Sequence, residues 1–382
     1  MKRALCWVAV FAACSAPKPL VPVERPDEPV GEMRAKQPEL AIGLFTSMSG
    51  AHAELGAAMV NGVQMAVAER NDAGGVLGHR VTLATRDDQS EFSNVEQLVN
   101  QLIDAEHAVG ILGGTTMEAA SAGAWIAERR GVPMIAPTST SGRLRDIGGM
   151  VYGAALTDRA QGVAAAKFLV QSIGARRIAV MFDSTSPYST DAATAVELEV
   201  PKLGGQIMTA QPYTPAHPLQ RLIKGIHATN PDAVFVGDDQ QTRYVTKSVK
   251  VRLDVPFIGP EGWYSRGLLP LDIDGAYVCT QFTALATDPR IVRFVRDYRH
   301  RFRGHPNGVA ALSYDATRIL LDAIVRAGSL DAVDIATEIA RTTEFPGVTG
   351  TTTFDGLRDT VKPAMIVQLR DGTFRFVTTI DT

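Results

Sequence analysis

Residues 109–136 read VGILGGTTMEAASAGAWIAERRGVPMIA, and this stretch decides the fold class. Short apolar runs at 109–112 and 132–136 have the length and composition of buried strands. The segment between them, residues 118–130, predicts a helix. A strand, a helix and a second strand in this order predict a β-α-β unit with parallel strands.

The same alternation extends in both directions from this unit. Upstream, the sequence predicts a helix at 56–71, followed by Gly74 and Gly75, and a second helix opened by a capping box of Ser93 and Glu96. The remaining predicted strands are 40–45, 79–85, 178–182, one through 207, 233–236, 256–258, 276–282 and those within 351–380. The remaining predicted helices are 158–172, one ending near 203, 219–228, 244–251 and those within 291–339. Such alternation predicts an α/β fold of mostly parallel sheets with helices on both faces.

The N-terminal segment has the pattern of an export signal. Lys2 and Arg3 precede an apolar run, residues 4–13, which is shorter than the ~20 residues that a membrane-spanning helix needs. Residues 11–14, Phe-Ala-Ala-Cys, resemble a lipobox in which Cys14 becomes lipidated. We therefore predict a lipoprotein signal peptide at 1–14. An ordinary secretory signal is the alternative, although cleavage after Ala16 would leave Pro17 directly behind the cut.

The segment 15–38 is rich in proline and charge, so we expect a semi-extended tether rather than a folded element. It would hold the folded body off a membrane. If Cys6 leaves with the signal and Cys14 carries lipid, Cys279 remains alone and no intramolecular disulfide is expected.

The composition argues against several classes of function. The chain has 382 residues and a formal net charge of −3, and no basic run with interleaved aromatic residues occurs, which argues against a nucleic-acid partner. The G-x-G-x-x-G, phosphate-loop, H-E-x-x-H and C-x-x-C motifs are missing, and the seven histidines are scattered. We therefore predict no catalytic residue, no cofactor and no metal site.

The loops that follow the predicted strands are the place to look for a ligand, because ligands of such sheets bind beyond the carboxyl ends of the strands. These loops are rich in hydroxyl groups and glycines and contain a few carboxylates, which suits binding. They are residues 46–55, 113–117, 137–143, 183–189, 237–241 and 259–264.

Several segments of these loops and their surroundings form an ordered set of landmarks. They are Met48-Ser49-Gly50, NDAGGVLG at 71–78, Asp87-Asp88, GVPMIAPTST at 131–140 and GPEG at 259–262. The set resembles the "SG" loop, the "N-x-x-GG-I-x-G" turn, the acidic pair, the "GVPxIxPxAT" segment and the "GPEG" loop of one family. That family is the leucine/isoleucine/valine-binding branch of the type I periplasmic binding proteins. The resemblance spans about residues 40–372.

The resemblance implies a two-lobed fold, in which each lobe is a mostly parallel open sheet flanked by helices. Three crossovers near Ala155, Thr283 and Thr351 would act as hinges, and the lobes would close around a ligand in the cleft. Lobe 1 would comprise residues 39–155 with 284–350, and lobe 2 residues 156–283 with 351–382. The closed form would dock on permease and ATPase subunits of an ABC importer, supplied by other chains.

The resemblance also implies a seat for a ligand carboxylate at the start of the helix at Met117, whose N–H groups are free. Met117 stands where the family usually has serine, so the hydroxyl of Thr115 or Thr116 would compensate. The alternative for Met117 is a side chain that faces the core.

Thr138, Ser139 and Thr140 match a second clamp of the family, and Glu261 matches its partner for the ligand ammonium. A charge-assisted hydrogen bond of this kind contributes roughly 1.5–3 kcal/mol. The alternative for Thr138 and Thr140 is local capping of their loop. The alternative for Glu261 is a carboxylate at the surface.

Four further residues complete the candidate site. Tyr188 matches a tyrosine that covers the ligand, with a solvated loop tyrosine as the alternative. Asp239 and Leu55 stand where the family often has tyrosine, and Trp263 adds an aromatic surface beside Glu261. Asp239 would pair with an ammonium, amide or basic group of the ligand, and the alternative is a solvated side chain. For Leu55 and Trp263, the alternative is a side chain that packs in the core.

The predicted function is that of an exported, lipid-anchored, monomeric solute-binding protein for an amino acid or a similar small amphipathic solute. It would contact the membrane through its lipid only. The carboxylates of Asp239 and Glu261 lead to the hypothesis that the ligand is a polar, amide-bearing or basic amino acid. Two alternatives stay open, a ligand-sensing receptor module of the same fold and an exported α/β hydrolase.

Overall fold

The structure, a computed structural model, describes residues 37–214, 219–237, 253–265 and 274–382. The predicted signal peptide, Cys14, the tether up to residue 36, Asp239 and the predicted helix at 244–251 lie outside the described residues. In the part of the chain that is described, no helix has both the length and the apolar character needed to cross a membrane.

Helices and strands alternate along the described chain. The helices are α1 (Ala53–Asp72), α2 (Val95–Asp104), α3 (Met117–Arg130), α4 (Asp158–Lys167), α5 (Pro187–Lys202), α6 (Leu219–Ala228), α7 (Gly262–Ser265), α8 (Pro289–Phe302), α9 (Gly308–Ala327) and α10 (Ala332–Ala340). The strands are β1 (Glu39–Thr46), β2 (Arg80–Asp87), β3 (Ile111–Gly113), β4 (Met134–Ala136), β5 (Val151–Gly153), β6 (Arg177–Asp183), β7 (Gln206–Tyr213), β8 (Ala233–Gly237), β9 (Phe257–Gly259), β10 (Tyr277–Thr280), β11 (Phe345–Gly347), β12 (Gly350–Phe354), β13 (Thr360–Val361), β14 (Ala364–Arg370) and β15 (Thr373–Ile380).

The first sheet has five parallel strands in the order β2-β1-β3-β4-β5. Successive side chains of a strand point to opposite faces, and in β1 Ile42 and Leu44 pack on one face while Phe45 packs on the other. Helices α1 and α9 cover the face of Ile42, and α2 and α3 cover the face of Phe45. Each of these buried side chains contributes about 1.5–3 kcal/mol, so both faces depend on their helices.

The second sheet has seven strands in the order β15-β14-β10-β9-β8-β6-β7. Its strands β6 to β10 pair in parallel, whereas β14 runs antiparallel to β10 and β15 antiparallel to β14. In β6, Ile178 and Val180 pack in one apolar cluster, and Ala179 and Met181 pack in another on the opposite face. This sheet therefore also has an apolar core on each side.

The chain passes between the two sheets after β5, after β10 and before β14. A small antiparallel sheet, β11-β12-β13, lies near the last passage. Phe354 of β12 packs against Tyr152 of β5 with 5.5 Å between the ring centroids, so the segment just after Thr351 still contacts the core of the first sheet. The lobe boundaries given above remain a prediction.

The predicted α/β fold with two mostly parallel, helix-flanked sheets is confirmed, and Leu219–Ala228 is a helix with the predicted bounds. The capping box of Ser93 and Glu96 is wrong. A 3₁₀ turn, Phe92–Asn94, precedes α2, no side chain caps that helix, and Glu96 instead pairs with Arg129 at 3.0 Å. Strand β5, Val151–Gly153, was not predicted.

Candidate functional site

A cavity of about 280 Å³ lies where strand-end loops of both sheets meet. Its position agrees with the rule that ligands bind beyond the carboxyl ends of parallel strands. The described residues that line it are Leu55, Thr138, Thr140, Gln161, Tyr188, Glu261, Gly262, Gln281, Asn307, Gly308, Val309 and Leu312. Five of the predicted site residues are therefore brought together: Leu55, Thr138, Thr140, Tyr188 and Glu261.

Glu261 is the one charged side chain among the described lining residues. It follows β9, and its carboxylate is held by the chain just after β10. The amide Nε2 of Gln281 donates to Glu261 Oε2 at 2.8 Å, and Thr280 Oγ1 lies 3.2 Å from Glu261 Oε1. A carboxylate has more acceptor sites than these contacts use, so Glu261 can still accept hydrogen bonds from a ligand.

Tyr188 stands on the first turn of α5 and reaches the cavity beside α4. Its hydroxyl donates to Gln161 Oε1 at 3.1 Å. Gln161 in turn donates from Nε2 to the carbonyl oxygen of Leu156 at 3.3 Å. The tyrosine is therefore anchored to the cavity wall and is not a solvated loop residue.

The threonines after β4 differ from the serine between them. Thr138 Oγ1 donates to the carbonyl oxygen of Gly114 at 3.2 Å, and the carbonyl oxygen of Thr140 accepts from the N–H of Asp158 at 2.9 Å. Ser139 points away from the cavity, and its buried Oγ has no hydrogen-bond partner among the described residues. Thr138 and Thr140 thus line the cavity and also tie the loop to its surroundings.

The start of α3 does not line this cavity. Thr116 caps the helix, with its Oγ1 accepting from the N–H of Ala119 at 3.2 Å, and the side chain of Met117 is 42% exposed. Exposure excludes the alternative in which Met117 faces the core. Thr115 Oγ1 accepts from the N–H of Ser47 at 3.0 Å and lies 2.7 Å from Thr46 Oγ1, so it holds two loops together.

Trp263 belongs to the core, and its place in the candidate site is corrected accordingly. Its side chain is fully buried in the cluster around Met181 and Val234, with its ring 6.2 Å from that of Phe257. A Cβ on Gly259 would lie 2.4 Å from the Trp263 ring. The turn at Glu261 thus sends Glu261 to the cavity and Trp263 into the second sheet.

Seven lining residues were missed by the sequence reasoning. Gln161 and Gln281 are buried, with 3% and 1% exposure, and Gly262 follows Glu261 directly. The other four, Asn307, Gly308, Val309 and Leu312, come from the start of α9. Asn307 caps that helix, and an asparagine before an apolar helical run is a signal that could have pointed to this end.

Among the described residues, no group of three or more histidine, cysteine, aspartate or glutamate side chains is placed to hold a metal ion. Asp239, the remaining predicted contact, lies outside the described residues. The site as described is a small, mixed polar and apolar cavity with a single carboxylate. Such a site is built to bind a small solute.

Comparison with known proteins agrees with this fold. The sequence profile of the periplasmic binding protein family matches residues 39–373. A Pseudomonas aeruginosa protein named amino acid binding protein is 24% identical over 306 residues, which are 78% of this chain and 81% of that protein.

Solved structures show the same fold. A leucine binding protein from Thermotoga maritima is 26% identical with a TM-score of 0.73, and the match covers 90% of this chain and 99% of that one. A solute binding protein of an ABC transporter from Rhodopseudomonas palustris, solved with 3,4-dihydroxybenzoic acid, is 20% identical with a TM-score of 0.72, over 90% of this chain and 97% of that one.

The chain therefore belongs to the periplasmic binding protein family. Within that family it is a type I member of the branched-chain amino acid-binding branch, as its sequence landmarks predicted. The relatives above are named as binding proteins, not as enzymes.

Proposed function

We propose that this chain is the extracytoplasmic solute-binding protein of an ABC importer and that it binds an amino acid in the cavity beside Glu261. The observation that carries the proposal is the carboxylate of Glu261, the one charged side chain among the described lining residues. Glu261 is half-buried, and a charge that is partly withdrawn from water gains from a partner of opposite sign or from several hydrogen bonds. The α-ammonium of an amino acid supplies both.

The same observation disfavours an aromatic carboxylate such as the one bound by the Rhodopseudomonas palustris relative. No cationic side chain is among the described residues that line the cavity. A ligand with only a negative charge would face Glu261 without compensation, and like charges at short range repel. An amino acid instead places its carboxylate on hydroxyl and main-chain donors, for which the loop of Thr138 and Thr140 is in position.

The lining supports a polar side chain on the ligand. Asn307 offers an amide NH2 group, while Leu55 and Leu312 supply apolar surface. The amides of Gln161 and Gln281 are already bonded to Tyr188, Leu156 and Glu261. We therefore retain the hypothesis of a polar, amide-bearing or basic amino acid, with Asp239 as a further contact. Thr116 and Met117 would contact the ligand only if the start of α3 moves toward the cavity.

Binding would proceed by closure of two lobes, residues 39–155 with 284–350 and residues 156–283 with 351–382, around this cavity. The ligand can shift the equilibrium from the open to the closed form only by as much as it binds the closed form more tightly. The closed, monomeric protein would then dock on permease and ATPase subunits made by other chains. A signal peptide at 1–14, lipid on Cys14 and the tether at 15–38 would export the body and hold it near a membrane.

Calorimetric titration of the purified chain with the common amino acids tests the proposal. Replacing Glu261 by glutamine keeps the shape and removes the charge, so affinity should fall about 10- to 150-fold, the equivalent of 1.5–3 kcal/mol. The matched control is Glu344→Gln, at an exposed carboxylate outside the cavity, which should leave the affinity unchanged.

The outcomes separate the candidates. If no amino acid binds, or if Glu261→Gln binds as tightly as the parent, the proposal is wrong. If leucine binds more tightly than arginine and glutamine, only the polar-ligand hypothesis fails. Conversion of the bound ligand would favour the hydrolase alternative, and neighbouring genes for a receptor in place of a permease and an ATPase would favour the sensing alternative.

A further inference from the structure

Two buried glutamines connect the cavity to the point where the chain first crosses between the sheets. We propose that Gln281 and Gln161 form a relay that clamps the crossing residue Leu156 to the ligand-contacting side chains Glu261 and Tyr188. In this role Gln281 is a positioning residue, which sets ligand affinity through the geometry of the hinge. The inference rests on the proposed function for its effect on affinity, but the relay itself is testable without a ligand.

The hydrogen bonds of the relay are continuous from one side of the cavity to the other. The Tyr188 hydroxyl donates to Gln161 Oε1 at 3.1 Å, and Gln161 Nε2 donates to the carbonyl oxygen of Leu156 at 3.3 Å. On the other side, the N–H of Leu156 donates to Gln281 Oε1, and Gln281 Nε2 donates to Glu261 Oε2 at 2.8 Å. Both main-chain groups of Leu156 are therefore bonded to amides of the cavity wall.

The relay is closed off from water. Leu156 is fully buried, and Gln161 and Gln281 are 3% and 1% exposed. A buried donor or acceptor that loses its partner has no water to replace it. The bonds of the relay therefore hold Leu156 more firmly than the same bonds would at the surface.

The position of Leu156 explains why such a clamp matters. Residue 153 is the last of β5 in the first sheet, and residue 158 is the first of α4, which packs on the second sheet. Ala154, two residues before Leu156, is bonded to the first sheet through Ala136 and accepts from Lys362 Nζ at 2.8 Å. Ala155 thus lies between Ala154, which is fixed to the first sheet, and Leu156, which is held by the relay. If the two sheets rotate relative to each other, the backbone torsions of this crossing would have to change at Ala155.

Gln281 joins two crossings, because it also follows β10 directly, at the second passage between the sheets. A glutamine is required at this place, since one amide accepts from Leu156 and donates to Glu261 at the same time. A glutamate would still accept from Leu156 but has no donor for Glu261. A ligand ammonium that bonds Glu261 therefore acts on the carboxylate that Gln281 holds, and Gln281 also holds the hinge residue Leu156.

The first test is amide hydrogen exchange at Leu156, followed by mass spectrometry of the purified chain without ligand. Gln281→Leu should speed exchange at Leu156 about ten-fold, the equivalent of one hydrogen bond. The control is Gln368→Leu, which removes an amide from β14 that bonds Gly275 at 3.3 Å among the described residues, and it should leave exchange at Leu156 unchanged.

The second test is a double-mutant cycle on the affinity for the best-binding amino acid. Because Gln281 acts on the ligand through Glu261, Gln281→Leu should weaken binding in the parent and have little further effect in Glu261→Gln. Equal exchange at Leu156 in Gln281→Leu and the parent overturns the relay, and additive losses in the cycle overturn its effect on affinity.

If no amino acid binds but exchange rises as expected, the proposed function fails and the clamp stands. Should Gln281→Leu not fold, Gln281→Met replaces it, since methionine keeps the length of the side chain and removes both amide groups.

Discussion

The ammonium group of Lys362 donates a hydrogen bond to the carbonyl oxygen of Ala154 at 2.8 Å, and both residues are buried. Lys362 Nζ also donates to Thr349 Oγ1 at 3.0 Å, and that hydroxyl donates to Asp315 Oδ2 at 2.7 Å. A hydroxyl group therefore stands between the buried cation and the buried carboxylate. The contact joins the last passage of the chain between the sheets to the first.

This buried lysine should make stability depend on pH in the alkaline range. Burial lowers the pKa of Lys362 to about 8, although the negative charges of Asp315 and Glu261 oppose the effect. In the unfolded chain the pKa returns to roughly 10.4. Between these values the unfolded chain binds a proton that the folded chain does not, so the free energy of unfolding rises with pH, by about 2 kcal/mol between about pH 7.5 and pH 10.

Urea unfolding of the parent and of Lys362→Met at several pH values measures this contribution. The difference between the two proteins is the quantity to follow, because burial also raises the pKa of the Cys279 thiol, which destabilises both proteins alike as pH rises. Lys202→Met, at an exposed lysine, is the control and should show no such trend. A pH-independent difference between parent and Lys362→Met would contradict the prediction.

Gly259→Ala should destabilise the protein because Gly259 is in direct contact with Trp263. The added Cβ would lie 2.4 Å from the ring, too close for any real contact, so β9 or the ring must move. Overpacking of this kind costs about 1–3 kcal/mol. Urea unfolding measures the loss, and ligand affinity should fall as well, since Glu261 stands two residues further on.

Gly225→Ala is the matched control for this change. Gly225 lies in α6, and a Cβ there meets nothing within 4 Å. Alanine in a helix is about 0.5–1 kcal/mol better than glycine, so this variant should be slightly more stable than the parent. If the free energy of unfolding of Gly259→Ala equals that of Gly225→Ala, β9 accommodates the added Cβ without loss of stability, and the prediction is wrong.

Gly308→Ala should separate affinity from stability. The new Cβ would lie 3.1 Å from Glu261 Oε1, in the space where a ligand ammonium would approach that oxygen. Because Gly308 is the first residue of α9, the free energy of unfolding should stay the same or rise by up to about 1 kcal/mol. Calorimetry should show weaker amino acid binding, and unchanged affinity would mean that the ligand does not use this side of Glu261.

Cys14→Ser should release the protein from membranes. If Cys14 carries lipid, the parent will partition into the detergent phase of a Triton X-114 extract, and the variant will stay in the aqueous phase. Thr138→Ser serves as a control for handling, because that residue lies far along the chain from the lipobox. A parent that stays in the aqueous phase, with an N-terminus downstream of residue 14, would support an ordinary secretory signal.

Local patterns in the sequence were sufficient for most of the described elements and for the loops that hold Thr138, Tyr188 and Glu261. Apolar runs fix the strands, and parallel strands bring their carboxyl ends to one edge, so the loops of Tyr188 and Glu261 share an edge of the second sheet. That the loop of Thr138, from the first sheet, meets them was implied by the family resemblance. The contribution of Asn307 and Gly308 was not predictable in the same way. The asparagine cap at Asn307 marks where α9 begins, but the packing of α9 on the first sheet, which brings that end to the cavity, is a tertiary contact.

The errors have equally specific causes. Trp263 was placed beside Glu261 because the two are close in sequence, but the turn of α7 sends their side chains in different directions. The capping box at Ser93 failed because Asn94 Nδ2 donates to the carbonyl oxygen of Asp88 at 3.1 Å, within a 3₁₀ turn that delays the start of α2. In both cases a tertiary contact overrode a local rule.

The packing of α9 on the first sheet has a consequence for how the protein is made. The apolar face that contains Ile42 and Leu44 is complete only when residues 308–327 arrive to cover it. The second sheet likewise waits for β14 and β15, which are the last strands of the chain. During synthesis from the N-terminus, a growing chain therefore exposes apolar surface of its sheets until residues 308–327 and then β14 and β15 emerge, and such surface is prone to aggregation.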